Sequence, residues 1–204
     1  MSDFLLVQGV TAPDLTGIHE CYDINKEDKL FRFTINVSAE NIERLIKCFC
    51  SELEEPCFFI LTLPTDAKNE NQIRLESTDP FHSDVYYCDG LSKQALFELI
   101  EKYGELLIND GMVCFGFASH SSKDELYYGK YKIATIFTFD EIRYKNLMNK
   151  MGIPLEEKIK TVWSNFSRET PGSTSPITID GKNSYNVMEE LKENGLYFAE
   201  RREQ

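Results

Sequence analysis

Residues 112–139 read MVCFGFASHSSKDELYYGKYKIATIFTF, and the way this run divides decides the fold class. An apolar stretch (112–119) and a longer aromatic one (126–139) flank the polar connection SHSSKDE. Strand-length apolar runs bounded by turn formers read as strands. Two strands joined by so short a link make an antiparallel hairpin, because parallel neighbours need a crossover of about a dozen residues or more.

The same reading extends towards the amino terminus. DVYYCD (84–89) is a short strand, and Ser92 can cap a helix that runs to about Asn109 with Leu96, Leu99, Ile100, Tyr103, Leu106 and Leu107 on its apolar face. CFFILTL (57–63) is a continuous apolar strand buried on both faces, and the polar segment 64–80 reads mostly as loop. Ser38 offers a cap oxygen to a helix carrying Ile42, Leu45, Ile46, Phe49 and Leu53. KLFRFTINV (29–37) alternates polar and apolar residues with the period of a half-buried strand. FLLVQGV (4–10) is a further strand, and the polar TAPDLTGIHECYDINKED between these two is a long connection or irregular arm.

Towards the carboxyl terminus, Thr138 and Glu141 match a capping box that starts a helix ended by Gly152. Pro154 suits the first turn of another helix, whose Leu155, Ile159, Val162, Trp163 and Phe166 form an apolar stripe. RETPGSTSP (168–176) is a candidate internal linker. A short strand (ITI, 177–179), a helix begun by Ser184 and a strand (LYFAE, 196–200) complete the chain. The order ββαββαββααβαβ lacks strict βαβ alternation, which disfavours a doubly wound parallel sheet. The expected fold is α+β: a mostly antiparallel or mixed β-sheet with amphipathic helices packed against it. The segment after the linker is too short for its own core, so residues 1–204 are expected to form a single domain.

Composition limits the partners. The net charge of -12, from 34 acidic and 22 basic residues, repels phosphate backbones. Arg201 and Arg202, the densest basic pair, are flanked by Glu200 and Glu203, so nucleic acid is not an expected partner. No stretch approaches the roughly 18 apolar residues of a membrane span, and MSDFLLVQGV lacks the basic region of a signal peptide. The six cysteines then read as reduced thiols of a cytoplasmic protein.

Nucleotide and metal motifs are missing. The sequence has no G-x-x-x-x-G-K-[ST], G-x-G-x-x-G or H-E-x-x-H. His19, Glu20 and Cys21 are possible ligands, but adjacent residues rarely all face one ion and no second half-site is apparent. No cofactor or metal is expected. Within SHSSKDE, His120 lies between Ser119 and Ser121, with Asp124 and Glu125 close by. Neighbours on an extended backbone point to opposite faces, which places both serines poorly as nucleophiles for His120. There is no G-x-S-x-G elbow, and the stretch reads as a polar hairpin tip.

The paired tyrosines offer a binding surface. Each of Tyr86-Tyr87 and Tyr127-Tyr128 must put one ring on each face of a strand, so one of each pair faces away from the core. Beside carboxylates, such rings suit protein contact. The expected binding residues are Tyr86, Tyr87, His120, Asp124, Glu125, Tyr127 and Tyr128.

The segment YYCDGLSKQALFELIEKYGELLINDG (86–111), with the hairpin after it and an acidic chain free of catalytic motifs, resembles the immunity-type proteins that neutralise bacterial toxins. The resemblance implies a non-catalytic cytosolic domain that binds a protein, a basic one, and masks it. The alternative is a small hydrolase or transferase with a site around His82, His120 and Cys88 or Cys114.

Overall fold

A computed structural model describes residues 4–204. Its elements are β1 (Val10–Thr11), β2 (Cys21–Glu27), β3 (Leu30–Asn36), α1 (Ala39–Glu52), β4 (Cys57–Pro64), α2 (Ala67–Ile73), β5 (His82–Leu91) and α3 (Lys93–Asn109). There follow β6 (Cys114–Ser119), β7 (Glu125–Tyr128), β8 (Ala134–Thr138), α4 (Glu141–Met151), β9 (Ser173–Thr174), α5 (Ser184–Lys192) and β10 (Tyr197–Glu203). Eight strands form one sheet in the order β10-β5-β4-β6-β7-β8-β3-β2. Every neighbouring pair is antiparallel. The fold is α+β, and β6 and β7 are the hairpin that the opening sequence predicts, with Phe115 opposite Tyr128 and Phe117 opposite Leu126.

One face of the sheet makes the core. Phe59 and Leu61 on β4, Phe115 and Phe117 on β6, Leu126 and Tyr128 on β7 and Phe33 and Ile35 on β3 are buried there. They share a cluster with Ile46 and Phe49 of α1, Leu96 and Ile100 of α3, Tyr144 and Met148 of α4 and Val187 and Leu191 of α5. Period-two strands and period-3.6 helices therefore turn their apolar sides to the same layer.

Several local expectations are corrected. Segment 64–80 contains α2, begun by Asp66, whose carboxylate accepts from the amides of Lys68 and Asn69. The last part of the polar arm after residue 10 is β2, an edge strand with Tyr22 opposite Ile35 and Ile24 opposite Phe33. Only Val10 of stretch 4–10 is strand; with Thr11 it pairs with β9, which lies inside the candidate linker. Of stretch 177–179, only Ile179 makes a bridge, to Lys182. The caps also move. Ser38 accepts from Leu5 N instead of capping α1, and Asp140 caps α4 in place of Thr138, whereas α5 begins at Ser184 as expected, capped by Asn183.

The stripe at residues 155–166 is not an α-helix. Tyr22 N donates to Pro154 O (3.0 Å), and Glu156 N donates to Tyr22 O (2.8 Å). Ile159 N donates to Asp23 Oδ2 (3.2 Å). The backbone groups of this segment are satisfied by β2 instead of by a helical ladder, and only a 3-10 turn survives at Val162–Asn165. The long aromatic strand is likewise split. Tyr131 and Lys132 adopt left-handed φ of 59° and 58° between β7 and β8. Their turn carries the Lys132 ammonium inward, where it donates to Val113 O.

Candidate functional site

The sheet face turned away from the core bears the alternate side chains of the same strands. Phe58 of β4 stacks on His120 with ring centroids 4.4 Å apart. Its other neighbour is Tyr87 of β5 at 6.0 Å, and Tyr87 in turn meets Tyr197 of β10 at 6.4 Å. Asp89 closes the circuit: its Oδ2 accepts from the Tyr197 hydroxyl (2.5 Å), and its Oδ1 lies 3.3 Å from His120 Nε2. Four aromatic side chains and one carboxylate, from three strands and the hairpin tip, thus form a closed circuit. The Asp89 hydrogen bond, with some burial, pushes the Tyr197 phenol up and keeps it a donor.

Beside this circuit lies a depression of about 260 Å³ lined by Ile60, Thr62, Val85, Tyr87, Glu125, Tyr127 and Arg202, all strand residues. Burial raises the Glu125 carboxyl, and Arg202 partly offsets the rise. Burial also raises the Tyr127 phenol, which donates to Thr62 Oγ1 at 3.1 Å. The depression thus carries one acidic group, Glu125, and one cation, Arg202, and Asp89 lies in the neighbouring circuit.

Of the seven residues expected to bind, Tyr87, His120, Glu125 and Tyr127 are on this face. Tyr86 and Tyr128 are the partners that alternation turns into the core; Tyr128 is fully buried and stacks on Phe115 at 5.2 Å. Asp124 is also withdrawn. It is buried, accepting from Thr138 Oγ1 (2.6 Å) and Arg143 Nη1 (3.0 Å). Phe58, Asp89 and Tyr197 were missed. The alternation applied to the tyrosine pairs also sorts Phe58-Phe59 and Tyr197-Phe198 and would have found two of the three.

The residues of the enzymatic alternative do not meet. His82 begins β5 and Asp89, the partner of His120, sits near its other end, about 23 Å away along the strand. Cys88 belongs to the core side, donating to Asn194 O, whereas Cys114 is raised by burial opposite Thr62. Burial raises the Cys88 thiol as well, and both sulfurs are held in their less nucleophilic form. Ser119 Oγ donates to Glu54 O and accepts from the amides of Ser121 and Ser122, so it is committed to shaping the turn.

His82 has surroundings of its own. Its Nδ1 lies 3.2 Å from Glu70 Oε2, and its amide donates to Glu70 Oε1 at 2.6 Å. Burial pushes Glu70 up, but the His82 amide and ring outweigh it and hold the carboxyl below its ordinary value. The pair lines a cavity of about 430 Å³ together with Thr65, Arg74, Phe81 and Gln204. The Arg74 guanidinium sits 3.9 Å from the Phe81 ring centroid. This cavity could hold a small polar molecule.

Among the described residues, no helix is long and apolar enough to cross a membrane, and all six cysteines are free. The chain matches no protein-family profile, no curated protein and no solved structure.

Proposed function

We propose that the chain is a non-catalytic protein-binding domain of the cytoplasm, of the immunity type, which masks a basic partner with the open face of its sheet. The observation that carries this reading is the circuit that His120, Phe58, Tyr87 and Tyr197 close with Asp89. Tyrosine is favoured at interface anchors because it brings large contact area and a polar tip at low entropic cost. A carboxylate amid aromatic rings suits a lysine or arginine side chain, which gains an ion pair and a cation–π contact together. The net charge of -12 adds long-range attraction for a basic protein and repels nucleic acid. Free thiols fit the reducing cytoplasm.

The test compares capture from the host lysate by the wild-type chain and by the Tyr87→Ala/Asp89→Asn variant. The expected result is a protein with an isoelectric point above about 9 that the wild type retains at low salt, loses at high salt, and that the variant does not retain. Equal retention by both chains would contradict the reading. A second reading, a small-molecule site with hydrolase or transferase chemistry, is favoured by the cavity holding the His82–Glu70 pair. His82→Ala separates the two, because it alters that cavity and leaves the aromatic circuit intact. Loss of capture in His82→Ala alone would move the site to the cavity.

A further inference from the structure

We propose that His19, Cys21 and Glu156 form a zinc site with three protein ligands and a fourth position open to water. A ring nitrogen of His19, Cys21 Sγ and a carboxylate oxygen of Glu156 all lie within 4.8 Å of one another. A tetrahedral zinc ion with bonds of about 2.0–2.3 Å needs its donors about 3.4–3.6 Å apart, so small rotations bring the three atoms to the required spacing. Imidazole, thiolate and carboxylate together carry two negative charges, which balance a divalent ion. Sulfur and nitrogen donors favour zinc over magnesium or calcium. Coordination releases the Cys21 thiol proton to solvent.

The backbone builds this cluster from two distant segments. Cys21 opens β2, and the hydrogen bonds of Tyr22 with Pro154 O and Glu156 N hold Glu156 beside it. Asn36 Nδ2 points at Cys21 Sγ from 3.9 Å and is itself held by Lys160 O at 2.8 Å, an outer partner of the kind that orients a metal thiolate. Glu20, between the two β2-side ligands, is spent elsewhere: its Oε1 accepts from Ser38 N and Asn41 Nδ2. Cys21 is buried whereas the His19 side chain is 52% exposed, so the ion would sit at the surface with water completing its shell. His19 Nε2 and Glu156 Oε1 already lie 2.7 Å apart; a neutral imidazole binds zinc through Nε2 with its one ring proton on Nδ1, so the Cys21 thiol proton is the one released.

The experiment uses the full chain without a polyhistidine tag. Zinc is titrated in competition with a chromophoric chelator, and cobalt is used as a spectroscopic substitute. One equivalent of zinc is expected, with a rise in Tm on addition and a near-ultraviolet sulfur-to-cobalt charge-transfer band. His19→Ala, at an exposed position, and Glu156→Gln, at a half-buried one, are expected to weaken binding at least about 100-fold, and Asn36→Ala about 10-fold. Cys48→Ser, a control away from the cluster, leaves the affinity unchanged. Cys21→Ser removes the charge-transfer band. Failure to bind one equivalent, or an affinity and band that survive His19→Ala and Glu156→Gln, would overturn the proposal.

Discussion

Asp124→Ala is expected to lower the unfolding free energy by about 3 kcal/mol, read as a shift of the urea midpoint at unchanged m-value. Asp124 leaves the tip of the β6–β7 hairpin and turns inward. It accepts from Thr138 at the end of β8 and from Arg143 in the first turn of α4. One carboxylate thus ties the hairpin to the start of a helix. Its removal leaves a buried hydroxyl without an acceptor and a guanidinium, 29% exposed, with Asp140 as its remaining ion-pair partner. Removing one partner of such a pair exceeds the worth of the pair itself, because the other group stays desolvated. Asp124→Asn keeps an acceptor for Thr138 and should lose about half as much. An Asp124→Ala midpoint equal to the wild type would show that the network carries no stability.

Lys132→Met is expected to stabilise the chain at pH 7 by about 2 kcal/mol, an advantage that disappears by about pH 10. The Lys132 ammonium is buried, and desolvation brings its pKa from 10.5 down to about 8, against the opposing pull of Cys114 and Asp110. The folded chain therefore releases this proton before the unfolded chain does. Between about pH 8 and 10.5 the unfolded state binds more protons, so the Lys132 contribution to stability rises with pH across that window. Below pH 8 the group is charged in both states, and the folded state bears the full cost of burying the charge, about 3 kcal/mol. Methionine of similar length removes that cost and forfeits the hydrogen bond to Val113 O, worth about 1 kcal/mol. Cys114, whose thiol burial also raises, titrates beside it, and the stability difference between wild type and variant cancels most of the effect of the more distant thiols and tyrosines. A difference that stays constant from pH 7 to 9.5 would contradict this account.

The parts of the fold that were legible share a physical cause. Alternation in KLFRFTINV and the helical spacing from Leu96 to Leu107 each record a burial pattern made by neighbours a few residues apart. CFFILTL is a strand as expected, but not buried on both faces, since Phe58 and Thr62 lie on the open side. The rule that adjacent strand residues face opposite sides also held, placing Tyr87 and Tyr127 on one face and Tyr86 and Tyr128 on the other. What stayed hidden depends on partners far along the chain. The apolar stripe from Leu155 to Phe166 has helical spacing, yet β2 claims its backbone donors and acceptors. The amide of Leu5 claims the Ser38 hydroxyl. His19 and Glu156 meet across 137 residues, so a third ligand was not to be found beside His19 and Cys21 in sequence. Asp89 and Tyr197 become neighbours only because β10 pairs with β5 at the sheet edge.

The aromatic circuit that Asp89 closes is the feature on which the functional account stands, and site-specific cross-linking in living host cells tests it most directly. A photoreactive phenylalanine derivative replaces Tyr87 on the open face or Glu101 on the exposed side of α3. The account predicts a cross-link from position 87, and none from position 101, to a protein with an isoelectric point above about 9. Equal cross-linking from both positions, or products from position 87 that contain only a second copy of this chain or nucleic acid, would contradict it.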